Sequence, residues 1–309
     1  MEAHFGDVAV AGGALRVASW GDGPATVLGI HGITASSLSL APVARHLPPG
    51  HRLLAPDLRG RGASNRLPGP YGMAAHAADC AAVLDRAGGG PAVVVGESMG
   101  GYVAVVLAAA RPDLVERLVL VDGGLPLPTP AGEDPDAVAR AVLGPALERL
   151  GRVFASTAEY LDFWRSHPAL AADWNPDVEA YVAYDLEPAD GGFRSRVAAE
   201  AVRADTVQTL SEPDVVASAL AAVDCPVHLL RATRDLMDRP PPLLGDEVVD
   251  RWRSTVGRLT DEVVADTNHY TLMLGDRGAR TIAARVAMAP EGRTGGGAHP
   301  GPEPGVGVR

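Results

Sequence analysis

The 309-residue chain contains no lysine; all 27 of its basic residues are arginine. That excludes a lysine Schiff base and the phosphate-binding lysine of a P-loop. Cysteine is almost as scarce. Cys80 and Cys225 are too few for a disulfide framework and too far apart for a zinc site. They point to the reducing cytoplasm as the expected compartment. No uninterrupted apolar run reaches the ~18 residues of a membrane span, so no membrane partner is expected. The first ten residues carry Glu2 and Asp7 and lack a basic stretch before an apolar one, so no signal peptide is expected. Positive charge is in the minority. With 38 acidic residues the net charge is −11, the wrong sign for a polyanion-binding surface, and no nucleic-acid partner is expected. No H-E-x-x-H occurs and no G-x-G-x-x-G follows a strand pattern, so no metal, nicotinamide or flavin cofactor is expected.

What is present reads as a large folded core. Hydrophobic residues make up 47% of the chain and charged residues 21%, which is ordinary for a globular protein. Short β-branched runs alternate with longer helical patterns. Val8–Val10 and Leu15–Ser19 read as a leading strand pair around the Gly12-Gly13 turn. Thr26–Ile30, Arg52–Ala55, Ala92–Val95 and Arg117–Val121 read as strands, separated by helices over Ser36–His46, Met73–Ala87 and Met99–Ala110. Such alternation predicts an α/β fold with a mostly parallel, doubly wound sheet of about eight strands. The pattern breaks after Asp122. Residues 125–210 read as a helix-on-helix insertion with a proline-rich start at Pro126, Pro128 and Pro130. Alternation then resumes with strands at Val227–Leu230 and near Glu262–Ala265 and a last helix at Asp276–Met288. The expected organisation is a core of residues 1–124 and 211–289, a helical cap of 125–210, and a disordered Gly/Pro-rich tail of 290–309.

Gly96-Glu97-Ser98-Met99-Gly100 lies between a strand pattern and a helix pattern. A sharp strand-to-helix turn needs small residues on both sides of its central serine, and it sets that hydroxyl at a helix N-terminus. Ser98 is therefore the candidate nucleophile. His31-Gly32-Ile33 follows another strand, and the N–H groups of Ile33 and Met99 are candidates for a two-donor oxyanion hole. A serine nucleophile needs a base, and the base an orienting acid. Among nine histidines, His269 lies beyond the last strand and before the last helix, at the sheet edge where open α/β sheets carry their sites. For the acid, Asp235 follows the strand Val227–Leu230 and is the first choice. Asp122, at the end of the strand beside the nucleophile's, is the alternative, and Asp238 a third.

These pieces resemble the α/β-hydrolase superfamily: His31-Gly32, the Asp57-Leu58-Arg59-Gly60-Arg61-Gly62 turn, Gly96 to Gly101, Leu118–Asp122, Arg234-Asp235 and Asn268-His269. The resemblance spans residues 15 to 288. It implies a triad of Ser98, Asp235 and His269, an oxyanion hole from Ile33 and Met99, and a cap over the site. It also implies that the Asp57–Gly62 turn is structural, and a solvated turn is the simplest reading of Arg59, Arg61 and Arg66. Relatives with an aspartate nucleophile, the haloalkane dehalogenases and epoxide hydrolases, are argued against by Ser98.

Eight of the 14 aromatic residues fall between Phe154 and Phe193. Either they form the cap's own core or some face an apolar or aromatic substrate. The candidate substrate contacts are His31, Gly32, Trp164, Tyr102, Tyr184 and Tyr270. The expected activity is cofactor-independent hydrolysis of a carboxylic ester, lactone or thioester of an apolar small molecule. Perhydrolase or lyase/cyclase chemistry on the same triad, and a non-catalytic receptor, are the rival readings. The sequence leaves monomer and homodimer open.

Overall fold

The computed structural model describes residues 2–127, 145–210 and 214–289. The tail after Pro290 and the prolines Pro128 and Pro130 lie outside the described residues. Eight strands form one sheet. In chain order they are β1 (His4–Val10), β2 (Gly13–Trp20), β3 (Ala25–Ile30), β4 (His51–Pro56), β5 (Ala92–Glu97), β6 (Val115–Val121), then β9 (Val227–Arg231) and β10 (Leu259–Val263); β7 (Leu186–Ala189) and β8 (Gly192–Ser195) form a separate hairpin. The spatial order is β1-β2-β4-β3-β5-β6-β9-β10. β1 and β2 run antiparallel to their neighbours and the other pairings are parallel. The chain order reverses at β3–β5, so the carboxyl ends of β3 and β5 open onto a crevice.

The continuous apolar runs of the central strands follow from burial on both faces. Successive residues alternate between the faces. Val94, Leu118 and Leu120 pack into one core with the helices Met73–Arg86 and Met99–Ala110. Val93, Val95, Val119 and Val121 pack into the other, with the helices Ala41–His46 and Asp276–Val286. Among the described residues, no helix is long and apolar enough to cross a membrane.

Three elements differ from the sequence reading. The stretch Ser36–His46 splits into a 3-10 turn, Ser37–Leu40, and a short helix that starts at Ala41 with Pro42 in its first turn. The last strand begins at Leu259, not Glu262. It is an edge strand, so Thr260, Asp261 and Glu262 all keep some contact with solvent although they alternate between its faces, and the apolar pair Val263-Val264 does not mark its centre. The insertion is not purely helical. Ala189-Asp190-Gly191-Gly192 turns the β7–β8 hairpin, with φ of 85° at Gly191 and 151° at Gly192. Phe154, Tyr160, Trp164, Tyr181 and Leu186 give the insertion its own apolar cluster, which Leu274 of the sheet domain joins.

Candidate active site

β5 ends at Glu97 and the next helix begins at Met99, leaving Ser98 alone in the turn with φ 53° and ψ −120°. A non-glycine residue in such a conformation carries strain of about 1–3 kcal/mol. The surroundings enforce it. Ser98 N–H donates to Val121 O at 2.9 Å, and a Cβ at Gly100 would overlap the Ile30 carbonyl, so no larger residue fits there. Met99 is the first residue of its helix, so its N–H has no intrahelical acceptor. Among the described residues, the Ile33 N–H is likewise unengaged.

Two cavities meet at Ser98 and Ile33. One is lined by Glu97, His269, Tyr270, Tyr181, Leu236 and Leu274, among others. The second runs past Met99, Tyr102, Leu127, Thr206, Leu243 and Leu244. Thr206 and Thr209 donate their hydroxyls to backbone carbonyls of their own helix, which leaves this cavity mainly apolar.

His269 is buried and held from behind. Asn268 Oδ1 accepts from the N–H groups of Tyr270 and Thr271 at 3.0 and 2.9 Å, fixing the turn that carries the imidazole. His269 Nδ1 lies 2.7 Å from Asp122 Oδ2. The carboxylate accepts only, so the proton sits on Nδ1 and Nε2 keeps a lone pair on the cavity side. Burial alone would lower the His269 pKa. The bond to Asp122 and the charges of Asp122 and Glu97 outweigh it and hold the pKa above its ordinary value.

Asp122 itself is fully buried. It sits at the end of β6 with φ 46°, and its other oxygen accepts the Ala232 N–H at 3.2 Å. It is neighbour to Ser98 because Glu97 pairs with Val121 across β5 and β6.

The sequence profile of the alpha/beta hydrolase fold matches residues 25–276, most of the chain. The chain belongs to the α/β-hydrolase family. Over 114 residues it is 47% identical to Lipase LipV of Mycobacterium tuberculosis, covering 37% of this chain and 43% of that protein. Esterase Rv0045c of the same organism is 39% identical over 114 residues, 37% of this chain and 38% of that protein. These alignments span only about two-fifths of the relatives' lengths. A solved structure of E-2-(acetamidomethylene)succinate hydrolase superposes with a TM-score of 0.74 at 23% identity, covering 92% of this chain and 98% of that one. The thioesterase domain from the curacin biosynthetic pathway superposes with a TM-score of 0.69 at 22% identity, covering 93% and 100%.

Against that family frame the sequence reading needs several corrections. The structure puts Asp122, not Asp235, on the imidazole. Asp235 Oδ1 accepts the N–H groups of Met237 and Arg239, both at 2.8 Å, and so closes its own loop. Asp238 is held by Arg234 at 2.6 Å and by Asn268 Nδ2 at 2.9 Å. Tyr102, Tyr270 and Gly32 do line the cavities. Trp164 does not; it packs under Tyr270 and beneath the Arg149 guanidinium. Tyr184 is turned away to donate to Asp57 Oδ2 at 2.6 Å.

His31 is structural. Leu58 N–H donates to its Nε2 at 3.0 Å, so Nδ1 carries the proton and donates to Gly32 O at 2.8 Å; burial pushes its pKa down to about 3. Arg59 and Arg61 are not solvated. Asp57 accepts the N–H groups of Ser37 and Ala63, which folds the turn inward and buries both arginines.

Sequence reasoning also missed Glu97. Its buried carboxylate lies 3.5 Å from His269 Nε2, and burial raises its pKa. The available signal was its place in the serine motif, one residue before Ser98. Among the described residues, no cluster of three metal-ligating side chains occurs.

Proposed function

We propose that the protein is a serine hydrolase of small carboxylic esters, with lactones and thioesters in the same chemical class. One observation carries this reading: Ser98, on a strained strand-to-helix turn, shares a cavity with His269, whose Nδ1 is bonded to buried Asp122. In the proposed reaction Ser98 Oγ attacks the substrate carbonyl as its proton passes to His269 Nε2. Asp122 holds the tautomer and stabilises the imidazolium. The N–H groups of Ile33 and Met99 face the developing oxyanion. The imidazolium then protonates the leaving oxygen or sulfur, and water drawn through the same imidazole releases the acid and frees Ser98.

That proton delivery assigns the two cavities. The leaving group has to lie within reach of His269, which is the Glu97 and Tyr270 side. The acyl group then fills the cavity past Met99, Tyr102 and Leu244. Its apolar lining fits an aliphatic or aryl acyl chain, while buried Glu97 disfavours an anionic leaving group. The two partial relatives, a lipase and an esterase, support the same reaction class.

The test is the initial rate on p-nitrophenyl acetate, butyrate, octanoate and phenylacetate, for wild type and Ser98→Ala. Hydrolysis by wild type and none above background by Ser98→Ala is expected. Equal rates for the two proteins would remove Ser98 from the reaction.

A further inference from the structure

Three successive carbonyls of the loop after β3 are each gripped by a side chain. His31 Nδ1 holds Gly32 O at 2.8 Å, Arg61 Nε holds Ile33 O at 3.0 Å, and Arg149 Nη2 holds Thr34 O at 2.6 Å. The Ile33 N–H sits between the first two grips. Arg61 and Arg149 are 0% and 1% exposed. A buried guanidinium needs a counter-charge, and removing that partner is strongly destabilising. Both counter-charges come from the inserted segment. Asp205, on the helix Ala199–Leu210, lies 2.6 Å from Arg61 Nη1 and 3.0 Å from His76 Nε2, and accepts the Gly72 N–H at 2.7 Å. Asp185 lies 3.4 Å from Arg149 Nε and is bonded by the hydroxyls of Tyr160 and Ser195.

We infer that Asp205 and Asp185 are positioning residues for the oxyanion loop, acting through Arg61 and Arg149, so that the seating of the inserted segment sets the Ile33 N–H. This rests on the acyl-transfer reading above. The insertion is then more than a cover. The helix bearing Asp205 also carries Thr206 and Thr209, which line the acyl cavity. One rigid element therefore touches the acyl group and, through a buried ion pair, the loop that binds its oxyanion. An oxyanion donor works only within about 2.7–3.1 Å of the developing charge, and a misplacement of about 1 Å costs about a hundredfold in rate. The ground-state ester uses that donor little, so the loss falls on kcat and not on KM.

Two variants test this. Asp205→Asn keeps the shape and one acceptor oxygen but removes the charge facing Arg61. Arg149→Lys keeps a cation beside Asp185 but removes the fork that also reaches Thr34 O. The measurements are kcat and KM for p-nitrophenyl butyrate, inhibition by an aryl trifluoromethyl ketone whose serine adduct carries an oxyanion, and the folded fraction by thermal unfolding. Each variant is expected to lose about tenfold to a hundredfold in kcat per folded molecule. The ketone should weaken by a similar factor, while KM stays within about threefold. Unchanged kcat and unchanged ketone inhibition, or a loss confined to KM, would overturn the proposal. If Asp205→Asn does not fold, Arg149→Lys decides alone. Failure of the underlying reading looks different: wild type would hydrolyse no ester and take no fluorophosphonate label at Ser98, and both proposals would go together.

Discussion

Replacing Asp122 by Asn is expected to disable the enzyme, while the same change at Asp235 leaves it nearly intact. Asp122 Oδ2 faces His269 Nδ1 at 2.7 Å and Oδ1 accepts from Ala232 N–H at 3.2 Å. Both partners are donors, and an asparagine offers only one acceptor oxygen to them. If the amide oxygen stays on Ala232, the amide NH2 meets Nδ1 and drives the ring proton to Nε2, where it blocks proton removal from Ser98. If the oxygen turns to Nδ1, the NH2 opposes the Ala232 N–H, and a buried unpaired donor costs about 1–3 kcal/mol. A wrong tautomer in a serine triad lowers kcat by about 10⁴, or roughly 5 kcal/mol of barrier. We therefore expect a fall of about 10³–10⁴ for Asp122→Asn, with the fold retained. Asp235→Asn keeps an amide oxygen for both of its backbone donors, Met237 and Arg239. Its carboxylate acts on His269 only through distant charge, so a change below about threefold is expected. The assay is kcat on p-nitrophenyl butyrate for the two variants side by side, with circular dichroism to confirm folding. An inactive Asp235→Asn beside an active Asp122→Asn would refute the assignment.

Three further outcomes follow from the same geometry. In the proposed reaction the neutral imidazole is the base, so kcat/KM should rise with pH; because Asp122 and Glu97 raise the His269 pKa, the midpoint of that limb should lie above 6.5, and a midpoint at or below 6.5 counts against the pairing. Ser98→Gly relieves the φ 53° strain that Ser98→Ala keeps, and after the entropy glycine gains in the unfolded chain it should be about 1 kcal/mol more stable than the alanine variant by urea unfolding; the reverse order would deny the strain. Leu244→Trp should block the acyl cavity, lowering the octanoate-to-acetate rate ratio about tenfold, whereas an equal loss on every ester would place the acyl chain elsewhere.

Local sequence was enough for much of this protein. β-branched runs bounded by glycine and proline mark the strands, because a strand buried on both faces has to be apolar throughout. The serine turn is legible because only small residues fit around a strained strand-to-helix corner, and that steric rule is written in adjacent positions. His269 is legible because the last strand and last helix bracket it. The acid is different. Asp122 and Asp235 both follow strands at the same sheet edge, and β6 lies between β5 and β9. Which one meets the imidazole depends on where the His269 turn lands across the sheet, and no local pattern encodes that. The arginines show the same limit. Arg61 and Asp205 are 144 positions apart, and a glycine-rich turn with two arginines reads as solvated until its counter-charge is placed. Trp164 and Tyr184 were equally ambiguous, since an aromatic in a small insertion serves its core as readily as a substrate. Short-range sterics and hydrophobic periodicity act between neighbours and so can be read along the chain. Charge pairing and cavity lining act between residues that only the folded chain brings within a few ångströms, and these the tertiary structure alone decided.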